Sequence, residues 1–258
     1  MGELETAVSR ASDLLRQAKH AVVFTGAGIS TPSGIPDFRS ANTGLWNKDD
    51  PMQVASLSAF LYHPERFFNW LRPLVKNSWQ AQPNPAHYAL AEMERAGIIK
   101  AVITQNIDTL HHRAGSVNVF EVHGSMRTLT CHRCNVTYPT ENFIEAFLER
   151  NEMPFCPQCQ KLLKPDIVLF EEMLPAAVWS KAEEHCRKAD VIFVVGSSLE
   201  VSPANSLPYM AVLGGARLLI NNLTSTHLDE YAEVLMPYNV VEIIPLIKQV
   251  LCLNTMPH

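Results

Sequence analysis

The sequence has no uninterrupted apolar run near the roughly 18 residues that a membrane helix needs, so no membrane span of that kind is expected. It has no basic excess either: 21 Lys and Arg stand against 26 Asp and Glu, a net charge of −5. Binding to nucleic acid by phosphate neutralisation alone is thereby excluded, and no specific nucleic-acid partner is expected. Residues 1–17 carry charges throughout and lack the apolar core of a signal peptide, which predicts a cytoplasmic address. Charged residues are only 18% of the chain while apolar ones reach 47%, which excludes disorder and fits a globular protein. A length of 258 residues accommodates one large domain or two modest ones, with a sizeable core.

Cysteine is also scarce. Of the six, four form two Cys-x-x-Cys pairs, Cys131/Cys134 and Cys156/Cys159. A secreted disulfide framework would be denser and more scattered. Two close pairs at this separation read as one four-thiolate zinc site rather than two redox motifs, which would each need a thioredoxin-like setting. Four thiolates fill a tetrahedral zinc and leave no position for water or substrate, so the expected role is structural. Cys186 and Cys252 lack partners at metal spacing and read as core or surface thiols.

Short apolar runs recur along the chain: 21–24, 101–104, 167–170, 191–195, 217–220 and 240–244. Continuous apolar runs of this length predict strands buried on both faces, as in a parallel sheet covered by helices. Helices are predicted at 3–18 from apolar spacing, at 85–96 from the Asn84-Pro85 start and Gly97 stop, near 176–188, and at 204–213 before Gly214-Gly215. The alternation predicts a doubly wound α/β fold. Two stretches interrupt it, an aromatic-rich, partly helical one at 38–82 and the cysteine-bearing one at 125–162. They are expected to form a smaller inserted module, leaving a core of about 1–37, 83–124 and 163–258.

Polar clusters fall at the predicted C-terminal strand ends, the edge where open α/β sheets bind ligands. Gly26-Ala27-Gly28-Ile29-Ser30 follows the first strand. Glycines there let backbone N–H groups approach a pyrophosphate, helped by a helix N-terminus, but the third glycine of the usual fingerprint is missing, so a plain tight turn stays open. Ser33 to Ser40 reads as an exposed loop whose Arg39 pairs with phosphate and whose Phe38 covers a flat ring, or as a solvated surface loop. Gln105-Asn106-Ile107-Asp108 offers three polar side chains for a ligand or for capping a helix. His123, with Gly124 behind it, is a general-base candidate. Gly196-Ser197-Ser198 serves a phosphate or ribose, or caps the next helix. Asn221 repeats the pattern of a polar residue at a strand end.

As an ordered set, these segments resemble the sirtuins, NAD-dependent protein-lysine deacylases, in a bacterial-type single-domain form covering about residues 10–245. The resemblance implies a Rossmann-like doubly wound parallel sheet with a smaller module carrying a four-Cys zinc ribbon, one catalytic domain over 1–258. NAD is implied as co-substrate, Zn2+ as a structural ion at Cys131, Cys134, Cys156 and Cys159, and acylated-lysine proteins or peptides as partners of a monomer. It implies that Ala27, Gly28, Thr31, Arg39, Gly196, Ser197, Ser198, Asn221 and Val240 hold the pyrophosphate and adenosine end. Phe38, Ile107 and Asp108 would enclose nicotinamide, and Gln105 and Asn106 would position the adjoining ribose and water. His123 would be the general base, with Asn106 its catalytic companion. The implied chemistry is attack of the acyl oxygen on the ribose as nicotinamide leaves, followed by attack of a ribose hydroxyl on the resulting imidate.

Val168, Phe170, Glu171, Glu200 and Val201 would flank the substrate peptide, and Glu171 with Glu200 would favour basic neighbours of the acyl-lysine. Glu171 stands where the family usually has Gly, and Thr109 where it usually has Gly. Gln160-Lys161 follows the second cysteine pair in place of a Gly-rich turn. Ala55, Phe60, Leu71 and Leu74 would form a roomy acyl site. Ala55 falls where strict deacetylases carry a bulky aromatic, and Leu71 and Leu74 fall where succinyl-selective members carry Tyr and Arg. Acetyl and longer apolar acyls are therefore expected over succinyl. Protein mono-ADP-ribosylation and a non-catalytic NAD- and zinc-binding regulator are the rival readings.

Overall fold

A computed structural model of the chain describes residues 2–37 and 49–253, the side chain of Leu253 excepted. Phe38 and Arg39 lie outside the described residues. Six parallel strands make the main sheet: β1 (Ala21–Thr25), β2 (Ile99–Thr104), β3 (Val119–Glu121), β7 (Val191–Val195), β8 (Arg217–Asn221) and β9 (Ala232–Met236). Their order is β3-β2-β1-β7-β8-β9, so the winding reverses between β1 and β7. The order is that of a doubly wound, Rossmann-like sheet, and the crevice at such a reversal is where ligands bind.

Successive residues of a strand point to opposite faces, so each face recruits its own core. Val23, Val102, Phe193 and Leu219 pack under α1 (Glu3–Gln17), α5 (Pro85–Arg95) and α10 (Val240–Leu253). Phe24, Ile103, Ile192 and Val194 pack under α8 (Ala176–Lys188) and α9 (Ser206–Leu213). Helix α5 starts as its sequence predicts: Asn84 accepts from the Ala86 N–H at 3.0 Å and Pro85 needs no donor.

Two predicted strands are corrected. Residues 240–244 open helix α10 instead. Val240, Ile243, Ile244, Ile247 and Leu251 recur at helical spacing on its buried face, and Asn239 Oδ1 accepts from the Val241 N–H at 3.2 Å. The run at 167–170 is not a buried parallel strand. The strand there is β6 (Lys164–Ile167), antiparallel to β4 (Gly124–Cys131), which also pairs with β5 (Val136–Pro139) in a separate three-stranded sheet.

The remaining helices, α2 (Pro51–Val54), α3 (Leu57–Tyr62), α4 (Pro64–Gln80), α6 (Leu110–Arg113) and α7 (Ile144–Glu149), fill the crossings. Phe60, Phe67, Phe68, Leu71 and Val75 join Phe147, Ile167 and Leu169 in a core of their own beside the small sheet. Its edge-to-face rings, with Phe67 and Phe68 centroids 5.0 Å apart, favour close packing. Among the described residues no helix is long and apolar enough to cross a membrane.

Candidate active site

The glycine turn after β1 and the one after β7 are pressed together. Gly28 N–H donates to the Gly196 carbonyl at 2.8 Å, and Gly196 N–H donates to the Asn221 carbonyl at 2.8 Å. A Cβ on Gly28 would fall 2.8 Å from the Gly196 oxygen, so the approach needs glycine. The turn runs on into two short 3₁₀ turns, at 27–29 and 31–33, rather than the α-helix expected after it. Pro32 and the left-handed Gly34 (φ 87°) break the path, so the anticipated helix dipole is missing.

The loop after β2 packs against the first of these turns through side chains. Asn106 Nδ2 donates to the Gly26 carbonyl at 3.0 Å and to Ser30 Oγ at 3.1 Å. Ser30 donates to Asp108 Oδ2 at 2.6 Å, and the Leu110 N–H donates to Asp108 Oδ1 at 2.9 Å. Burial pushes the Asp108 carboxyl above its ordinary pKa, against the pull of the Ser30 and Leu110 hydrogen bonds. Gln105 Nε2 donates to Ser197 Oγ at 2.9 Å, tying this loop to the one after β7.

His123 follows β3. Its Nδ1 lies 3.0 Å from the Gln105 carbonyl oxygen. A carbonyl only accepts, so the proton sits on Nδ1 and the lone pair on Nε2, the tautomer a general base needs. The half-buried ring lines a cavity of about 650 Å³ together with Ala27, Gln105, Asn106, Ile107 and Asp108. The same cavity reaches Ala55, Leu71 and Leu74 on one side and Val168, Phe170, Glu171 and Val201 on another. No Lys or Arg is among the described residues of its wall.

Several expected residues sit elsewhere. Phe60 packs on Phe67 and Phe68, away from the cavity. Val240 is buried in the core under the sheet, Thr31 is exposed and donates to the Gly28 carbonyl at 3.1 Å, and Glu200 is exposed beyond the cavity wall. The Glu171 carboxylate accepts from the Ser58 N–H at 2.8 Å. Trp70, an aromatic near enough in sequence to be expected to refill the space left by Ala55, lines the cavity, whereas Phe67 is buried in the core beside it. Sequence reasoning missed Ser30, Met126 and Trp179 as wall residues. Ser30 had a signal, its place in the glycine turn; the other two are brought in by helix and strand packing that no local motif encodes.

The residues present fit NAD. Asn221 Nδ2 donates to the Met236 and Tyr238 carbonyls at 2.7 and 2.8 Å, which fixes the amide and leaves buried Oδ1 as an acceptor without a partner among the described residues. A buried orphan acceptor at a strand end beside a tight glycine cradle suits a ribose hydroxyl.

The four cysteines fit one zinc. Their sulfurs lie within 4.8 Å of one another, with Cys131 and Cys159 at 3.5 Å. Four sulfurs about 2.3 Å from a zinc stand roughly 3.8 Å apart. The two pairs fold alike: Asn135 N–H donates to the Cys131 carbonyl at 2.8 Å and Gln160 N–H to the Cys156 carbonyl at 2.9 Å. Asn135 and Gln160 both take left-handed φ, 54° and 58°, so Gln160 does the work of the missing glycine. Strand β4 separates Cys131 from His123 by seven residues beyond Gly124, roughly 23 Å of extended chain. Cys186 is a core thiol, pushed up to about 12 by burial, and Cys252 is exposed.

A model of the Sir2 family matches residues 26–203. The chain is 47% identical to the NAD-dependent protein deacylase 2 of Archaeoglobus fulgidus, over 94% of this chain and 95% of that protein. It is 44% identical to the NAD-dependent protein deacetylase of Thermotoga maritima, over 89% and 92% respectively. A solved Sir2 enzyme superposes with a TM-score of 0.89 at 46% identity, covering 97% of this chain and 99% of that one. A Sir2–p53 peptide–NAD+ complex gives 0.86 at 40%, over 94% and 98%. The glycine cradle, the locked histidine, the four-sulfur cluster and the near full-length match agree: this chain belongs to the Sir2 family.

Proposed function

We propose that this chain is an NAD-dependent protein-lysine deacylase, a single catalytic domain that removes acetyl and longer apolar acyl groups and yields nicotinamide and O-acyl-ADP-ribose. The observation that carries the reading is the convergence of a tautomer-locked histidine, Asn106 and Asp108 on one cavity that also reaches an apolar recess. NAD supplies a labile bond to nicotinamide and an ADP-ribose acceptor for the acyl group. Ala27, Ser197 and Ser198 hold its phosphates with backbone N–H groups and hydroxyls, Gly28 and Gly196 let the two turns pack closely enough to shape that cradle, and Asn221 accepts from a ribose hydroxyl. Arg39 and Phe38 are assigned phosphate and nicotinamide contacts. Ile107 and Asp108 hold the nicotinamide ring, Asp108 accepting from its carboxamide. Asn106 and Gln105 orient the ribose, and His123 Nε2 takes the proton of the attacking hydroxyl.

The substrate backbone lies between Val168 and Val201 as an added strand. Its acyl chain runs toward Ala55, Leu71 and Leu74. Nothing cationic among the described wall residues meets a succinyl carboxylate, so burial of that group is disfavoured. Acylated-lysine proteins are the partners, with the monomer as the working unit. The test is a panel of acyl-lysine peptides with NAD, scored for nicotinamide release and product mass. O-acyl-ADP-ribose marks deacylation, whereas ADP-ribose on protein marks mono-ADP-ribosylation.

A further inference from the structure

We propose that Glu171 is a positioning residue for acyl selectivity: its carboxylate latches the cavity-lining strap 168–172 onto the start of α3 and fixes the wall on which acyl chains rest. The proposal rests on the deacylase reading above.

Glu171 adopts a left-handed backbone, φ 75°, which costs an ordinary side chain and is the natural place for glycine. What holds it is a set of hydrogen bonds at the start of α3. The Leu57 N–H donates to the Phe170 carbonyl at 3.0 Å, the Ser58 N–H to Glu171 Oε2 at 2.8 Å, and the Ala59 N–H to Ser56 Oγ at 3.0 Å. These are the first three N–H groups of α3, which have no acceptor inside the helix, and the strap satisfies two of them. In return the Phe170 N–H donates to the Ala55 carbonyl at 3.0 Å.

The strap is held at its other end too. The Val168 N–H donates to the His123 carbonyl at 2.8 Å, and Glu172 accepts from the Leu169 N–H at 2.9 Å and pairs with buried Lys164 at 2.8 Å. A short segment therefore runs taut from the backbone of His123 to that of Ala55, and both Ala55 and the strap line the cavity. Of the three hydrogen bonds just given that tie the strap to residues 55–58, two are backbone to backbone and the third is made by the Glu171 carboxylate. A glycine here would relieve the backbone and lose the latch. The same bond turns one oxygen of this carboxylate toward α3.

A preorganised wall favours the ligand that uses most of it. Longer acyl chains reach toward Ala55; acetyl does not need to. Loss of the latch is therefore felt most by butyryl, through binding.

The test compares wild type with Glu171→Ala, Glu171→Gln and Glu171→Gly, using acetyl and butyryl peptides of one sequence. In Glu171→Ala the butyryl-to-acetyl ratio of kcat/KM should fall about three- to tenfold, the worth of one lost cap. The fall should lie in KM, the butyryl KM rising more than the acetyl KM on the same peptide sequence. Glu171→Gln keeps an acceptor oxygen and should keep the wild-type ratio. Glu171→Gly should copy Glu171→Ala in ratio while melting no lower, which separates the latch from backbone strain. Hydrogen exchange at the Ser58 amide, read without substrate, should quicken in Glu171→Ala and Glu171→Gly and stay slow in Glu171→Gln. An active wild type with an unchanged ratio in Glu171→Ala overturns the latch alone. A wild type that releases no nicotinamide with any acyl peptide overturns the deacylase reading and the latch with it.

Discussion

Ser30 donates its hydroxyl to Asp108 across 2.6 Å, joining the glycine turn after β1 to the loop after β2 by one short bond between buried side chains. The bond fixes one carboxylate oxygen while the Leu110 N–H fixes the other. Ser30→Ala leaves a buried acceptor short of a donor, a loss of about 1–3 kcal/mol in stability. Asp108→Asn should raise the KM for NAD and weaken nicotinamide inhibition together, because one group would meet the same carboxamide in both. Inhibition that stays at its wild-type strength in Asp108→Asn places that side chain outside the nicotinamide site.

Four thiolates leave a zinc no open position, so the four-cysteine group is expected to support folding rather than chemistry. Cys131→Ser, or a strong chelator, should lower the melting temperature by many degrees, because metal binding at four thiolates is coupled to folding. Metal-free protein that melts unchanged and stays active would show that the four sulfurs do not hold the small sheet together.

Two buried histidines give stability a pH dependence. Burial holds His87 down to about 4 and holds His111 well below its ordinary value, with the neighbouring charges of His87 and His112 adding to the latter. The folded chain keeps both neutral, while the unfolded chain takes up protons below its ordinary histidine value of 6.5. Stability is therefore flat above that value and lost progressively as pH falls from it toward 4. At pH 5 the loss from His87 alone is about 2 kcal/mol. Asp108, raised by burial, works in the opposite sense, so the difference between variants is the quantity to read. Urea unfolding at pH 7.5 and pH 5 should show a smaller drop in His87→Asn than in wild type. Equal drops remove His87 from the account.

The apolar recess predicts an acyl selectivity. Each methylene buried against Ala55, Leu71 and Leu74 gains up to ~0.8 kcal/mol. Across acetyl, butyryl and succinyl peptides of one sequence, butyryl should rival acetyl and succinyl should be poor. Ala55→Phe should impair butyryl selectively. Succinyl preferred over acetyl would contradict the pocket reading outright.

Much of this was legible in the residues. Strands such as 191–195 are apolar on both faces and leave no periodicity to misread, and α8 lies where its pattern ends. Helix α10 was hidden because Val240-Val241-Glu242-Ile243-Ile244 is rich in β-branched residues; only tertiary burial decides between the two periods. Strand β9 escaped notice because it is an edge: Glu233 and Leu235 face outward, so only half of it reads as core. At the site, motifs at strand ends named the polar groups. The pairing of Glu171 with Ser58, 113 residues apart, is a tertiary fact with no local signature.

The most direct measurement is product formation from an acetyl-lysine peptide and NAD by wild type and His123→Ala, both checked to be folded. The account predicts matched release of nicotinamide, deacetylated peptide and O-acetyl-ADP-ribose by wild type, and a loss of about 10²–10⁴-fold in His123→Ala. Near wild-type turnover by His123→Ala, or ADP-ribose attached to protein with no deacetylated peptide, would contradict it.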